Sequence, residues 1–213
     1  DLEFSNATEK VTISHEDLIK VRFAKGAYPL YGQMYWIKDI PKDLPEHLRT
    51  AKPDVDFLRP LVLKAIKDTC KNMTSQPKWF PYVGVNGIHY LARRMRTWEQ
   101  KEGRRRARLL LVQVIRMLEE IGTGGSGFRF VYGAFLQEAS ERAGLPELND
   151  YSLRFTEIGD MWRDFGYKAS KVFKRRAGDQ YTYNDLADML DRIGEAERAF
   201  YLDLQKAVEK HMK

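Results

Sequence analysis

A mostly α protein is predicted, an antiparallel helical bundle preceded by a short strand-and-loop remnant. Three observations predict it. From Asp54 to the C-terminus apolar residues recur at steps of three and four. Glycine and proline punctuate the chain between these stripes, and the intervening links are short, as antiparallel neighbours require. The stretch 26–53, by contrast, carries Gly26, Pro29, Gly32, Pro41, Pro45 and Pro53 and has no sustained period. Residues 1–53 are therefore expected to be a linker region, the tail of a preceding α/β domain, and 54–213 the helical domain.

The elements follow in order. Phe4–Ile13 is partly alternating and reads as one strand. Ser14 is placed to cap a helix through Leu18, Val21 and Phe23, with Asp17 three residues later, near the capping-box pattern. Within the loop-rich stretch, Gln33–Ile37 reads as a second strand. A first bundle stripe then runs Phe57, Leu58, Leu61, Val62, Ala65, Ile66 and Cys70. A second comprises Val85, Ile88, Leu91, Ala92, Met95 and Trp98. A third (Leu111, Val114, Ile115, Leu118, Ile121) and a fourth (Phe128, Val131, Tyr132, Phe135, Leu136, Ala139) flank a glycine-rich turn. The fifth takes Tyr151, Phe155, Ile158, Trp162, Phe165, Ala169 and Val172, after the stop signal Gly144-Leu-Pro146. The sixth, beyond Gly178, takes Leu186, Leu190, Ile193, Phe200, Leu204 and Val208.

Composition bounds the function. With 43% hydrophobic and 12% aromatic residues the chain is globular. No uninterrupted apolar run approaches the roughly 18 residues a membrane helix needs. The start at Asp1 has no signal-peptide pattern and no initiator Met, and reads as a start inside a longer polypeptide. One cysteine, Cys70, excludes internal disulfides and cysteine-rich metal sites, and a reducing, cytoplasmic setting is expected. The net charge of +6 suits an acidic partner. Its densest run, Arg104–Arg108, reads as a solvated helix start, since no nucleic-acid module accompanies it.

The residues able to carry chemistry are few. Cys70 falls on the apolar face of its helix, where a thiol is structural and no nucleophile. His15, His47, His89 and His211 have no partner at metal-ligand spacing, so no metal and no cofactor are expected. Of these, only His89 lies near a packed surface. Trp98, Trp162, Tyr132 and Phe135 lie on core stripes. The turn Gly122-Thr-Gly-Gly-Ser-Gly127 lacks both the phosphate-loop and the dinucleotide-binding pattern. Its place is to end one helix and deliver the N-terminus of the next, where free N–H groups receive an anion or a carbonyl. Glu119 and Glu120 precede it at a helix C-terminus, an unfavourable place for negative charge, and Arg129 is the expected compensating cation.

Two segments together carry a family resemblance. Gly87-Ile-His-Tyr-Leu-Ala92 with Trp98 is one, and Ile121 through Ala139 with the later Trp162 is the other. In this order they resemble the C-terminal region of butirosin biosynthesis protein H-like proteins, and Ser14–Leu18 with Arg22 resembles the hand-over from that family's N-terminal domain. The resemblance implies a cysteine-peptidase-like domain, missing from this chain, joined to a helical accessory or substrate-binding region. It further implies acyl transfer from an acyl-carrier-protein thioester to a small-molecule amine through a cysteine thiolate. Cys70 does not occupy the place of that nucleophile, so no catalytic residue is expected here. The residues implied to shape the substrate pocket or the domain interface are Glu119, Thr123, Gly124, Gly125, Arg129 and Tyr132. A non-catalytic helical ligand- or partner-binding module is the alternative.

Overall fold

The computed structural model describes residues 12–24, 55–75, 82–120, 123–174 and 181–212. The chain divides into two compact units, Leu2–Pro53 and Asp54–Lys213, with Asp1 grouped with the second. The first unit contributes one described helix, α1 (His15–Arg22). Ser14 caps it by accepting from the Asp17 backbone N–H at 3.1 Å. The strand expected over Gln33–Ile37 lies outside the described residues, as does most of the one expected over Phe4–Ile13. Among the described residues there is no strand.

The second unit is a helical bundle, as predicted. It comprises α2 (Val55–Thr74), α3 (Gly84–Met95), α4 (Trp98–Glu119), α5 (Arg129–Arg142), α6 (Leu148–Lys174) and α7 (Tyr183–Glu209). Helix α7 packs against α2, α3 and α6, while α6 also packs against α5 and α4. Leu186, Leu190, Ile193, Phe200, Leu204 and Val208, the predicted stripe of α7, are all buried. Its start is fixed by a full capping box between Thr182 and Asp185, four residues beyond the Gly178 signal. Along α6 the stripe Phe155, Ile158, Trp162, Phe165, Ala169 is likewise buried.

Two stripes require correction. On α2 the buried residues are Leu63, Ile66 and Cys70, whereas Leu61 and Ala65 are exposed. The apolar run 61–63 fits two overlapping helical faces, and packing against α7 selects the one that carries Leu63. On α5, Phe128 and Val131 are exposed, and the buried positions are Gly133, Leu136 and Ala139. Helix α4 consists of two helical segments joined across a kink at Gly103, with φ 76° and ψ 157°. Before that break Glu102 pairs with Arg94 at 3.1 Å, and after it Arg108 donates to the Phe173 carbonyl of α6 at 3.2 Å. Arg104, Arg105 and Arg106 are exposed there, as expected of a solvated helix start.

The α6–α7 seam is an aromatic cluster. Phe155 lies 4.6 Å from Phe200 and 5.1 Å from Tyr132 between ring centroids, and 5.6 Å from Tyr201. Tilted and edge-on pairs of this kind add to area burial. Phe155→Ala removes the shared member and leaves a cavity among α5, α6 and α7. Its expected cost is about 3–5 kcal/mol, read as a lower midpoint of urea unfolding with an unchanged slope.

Candidate functional site

The glycine-rich turn is built by the residues around it. Among the described residues it begins at Thr123, whose hydroxyl donates to the Leu118 carbonyl at 2.6 Å and so closes the C-terminus of α4. The same oxygen accepts from the Gly125 N–H at 3.3 Å. Glu119 receives the Ser126 N–H at 3.2 Å, so the turn's free donor is taken by a carboxylate of the protein itself. Gly125 has φ 87°, a conformation that favours glycine, and its bare Cα leaves room for the Arg163 guanidinium, which a Cβ there would displace. The Ser126 hydroxyl donates to the Gly159 carbonyl of α6 at 2.8 Å. Ser126 and Phe128 hold positive φ values of 51° and 70°, uncommon for residues with side chains.

Arg129 anchors this turn to α7. Its Nε and Nη2 donate to the two carboxylate oxygens of Glu197 at 2.8 and 3.2 Å. Its Nη1 donates to the Gly127 carbonyl at 2.9 Å, and the guanidinium lies 4.6 Å over the Trp162 ring. Trp162 in turn donates from Nε1 to Glu197 at 2.7 Å. Glu197 is 0% exposed. The expected pairing of Arg129 with Glu119 and Glu120 is thus replaced by pairing with Glu197, while Glu120 pairs with Arg116 at 3.5 Å. Glu119, Thr123, Gly124, Gly125 and Arg129 are gathered in or beside the turn. Tyr132 stands apart in the aromatic cluster, its hydroxyl buried without a hydrogen-bond partner and its pKa raised by burial.

A second site lies between α3 and α7. The helices run antiparallel, since Asn86 meets Arg198, His89 meets Asp191 and Arg96 meets Asp188. Between them is an open groove of about 650 Å³ lined by Tyr82, Asn86, His89, Tyr90, Arg93, Asp191, Glu195 and Arg198. Spacing explains the lining. Asn86, His89, Tyr90 and Arg93 share one face of α3, and Asp191, Glu195 and Arg198 one face of α7. The His89 ring rests on Gly194, where a Cβ would come within 2.8 Å of it. His89 Nδ1 is 2.8 Å from Asp191 Oδ1, and Nε2 is 3.2 Å from Glu195 Oε1 without hydrogen-bond alignment.

Burial opposes the charge on Asp191, but hydrogen bonds from His89 and Arg96 outweigh it and hold the carboxyl below the usual carboxylate range. Only His89 of the groove-lining residues stood out in the sequence. Its partners lie about a hundred positions away, beyond the reach of any local signal. Among the described residues no group of histidine, cysteine and carboxylates is arranged to hold a metal ion. No described helix is long and apolar enough to cross a membrane.

Two outcomes test these networks. Arg129→Met strands the Glu197 carboxylate and is expected to cost about 3–5 kcal/mol. Adding Glu197→Met should recover part of that loss, a non-additivity read from the double-mutant cycle in urea unfolding. For Asp191 the folded pKa is depressed, so its contribution is present above the ordinary carboxylate range and lost as pH falls through it. Asp191→Asn should therefore flatten the acid limb of thermal stability between about pH 5 and 3, where Asp titrates, and lower the midpoint at neutral pH.

Residues 16–204 match the family model described as Domain of unknown function (DUF4872), and the chain belongs to that family. No curated protein matches, and no solved structure matches.

Proposed function

We propose that this member of the DUF4872 family is the helical accessory, substrate-binding region of a butirosin-H-like thiol acyltransferase. In this reading it serves acyl transfer from a carrier-protein thioester to a small-molecule amine. The nucleophile comes from a companion domain or chain, and the setting is cytoplasmic. The observation that carries the claim of a nucleophile from elsewhere is the state of the only thiol. Cys70 is 0% exposed on α2, and burial pushes its pKa up to about 12. A thiol so placed is neither ionised nor reachable at neutral pH.

The face around the glycine turn supports the docking half. Phe128 and Val131 project from it, exposed by 55% and 54%, and the turn beneath them is held rigid by Thr123, Glu119 and Arg129. Glu119, Thr123, Gly124, Gly125 and Arg129 then act by holding the form of that face, while Tyr132 packs α5 against Phe155 and Tyr201 in the aromatic cluster. The α3–α7 groove favours the second reading, a ligand-binding module with no catalytic partner, because it is a formed cavity that no other domain need complete.

Cys70 is expected to react with an aromatic disulfide reagent only after denaturation. The isolated chain should give no amide product from an acyl thioester and an amine, and product should form when a Cys/His-bearing companion domain is added. Turnover by the chain alone, or fast labelling of native Cys70, overturns the proposal.

A further inference from the structure

We propose that the groove between α3 and α7 is a receptor for a small molecule bearing a single carboxylate, held by Arg198 and Arg93. This inference stands independently of the acyl-transfer reading. The groove has the volume of a small-molecule site, and its argument begins with the pairing of charges in the wall. Asp191 already has two partners, the His89 ring at 2.8 Å and the Arg96 guanidinium at 3.0 Å. Asp188, beyond it, is held by the same Arg96.

The guanidiniums that face the groove are in the opposite condition. Arg198 is half-buried, and its hydrogen bond goes to the neutral Asn86 Oδ1, at 2.9 Å from Nη2. A guanidinium carries five donors in a planar fork, so this bond leaves most of them unused. Arg93 lies 5.9 Å from the Tyr90 ring centroid. Neither arginine has a carboxylate within ion-pair distance among the described residues. For the half-buried Arg198 the lack of a counter-charge is unfavourable, the exposed Arg93 adds a second positive charge to the same lining, and an incoming carboxylate matches a guanidinium fork bidentately.

Two further features narrow the ligand. Glu195, whose side chain is 70% exposed, stands in the same wall and disfavours a doubly charged anion. Tyr82 and Tyr90 lie 4.3 Å apart between ring centroids, and Tyr82 sits near Asn86 and therefore near Arg198. Tilted by 48° to one another, the two rings supply an aromatic surface against which the body of the ligand rests. A monocarboxylate with a planar or aromatic body is the chemistry that these walls complement.

The test titrates the full chain with 3-phenylpropanoate, followed by the shifts of the His89 ring and arginine Nε–H resonances. Matched probes are 3-phenylpropan-1-ol, 3-phenylpropylamine and phenyl phosphate. Saturable shifts confined to the groove are expected with the carboxylate, weaker ones with the phosphate and none with the alcohol or amine. Arg198→Gln should weaken carboxylate binding about tenfold, as should the exposed Arg93→Gln, which serves if the first variant unfolds. Glu195→Gln should leave binding unchanged or strengthen it. Stronger binding of the amine than of the carboxylate, no groove shifts with 3-phenylpropanoate, or full affinity in the folded arginine variants would each overturn the proposal.

Discussion

One buried carboxylate ties α5, α6 and α7 together. Glu197 is sealed from water on α7, and an uncompensated carboxylate in that position would be intolerable. Its two oxygens are met by Arg129 from the start of α5 and by Trp162 from the middle of α6. Three helices are thereby joined at one point, the bidentate Arg129 pair and the Trp162 N–H meeting on the same carboxylate. The aromatic cluster of Phe155, Phe200 and Tyr201 supplies burial energy nearby, without direction of comparable strictness. The ion pair adds hydrogen bonds of defined geometry, and losing one partner would leave a buried charge unmatched.

The same helix carries the groove. Arg198 follows Glu197 directly, and about 100° of rotation about the helix axis separates their side chains. Gly194, one turn earlier, is the notch that receives the His89 ring. Helix α7 thus presents its charged positions in two directions, one closed on itself and the other open to a ligand. The closed set is fully matched in charge, whereas the open set leaves guanidiniums without counter-ions. That difference in matching, rather than any difference in residue type, separates a scaffold from a binding surface.

What the sequence disclosed was what local period and punctuation can disclose. The α7 and α6 stripes were legible because Leu186 through Val208 and Phe155 through Ala169 repeat without rival frames. The α2 stripe was not, since Leu61, Val62 and Leu63 offer several faces and only α7 decides among them. The turn was visible from its glycines, and Arg129 was singled out beside it. Its true partner lies 68 residues away, however, and charge proximity along the chain pointed to Glu119 instead. The groove was least legible, because half its wall comes from α3 and half from α7, and neither half is unusual alone.

Phe128 shows where the shape of the turn comes from. Its backbone sits in the left-handed region with its side chain exposed, a conformation in which glycine or asparagine would be easier to hold. The strain costs about 1–3 kcal/mol, and the exposed ring returns little of it through packing. The turn therefore keeps its form through the bonds made by Thr123, Glu119 and Arg129 around it, and not through the preference of the residue at its tip.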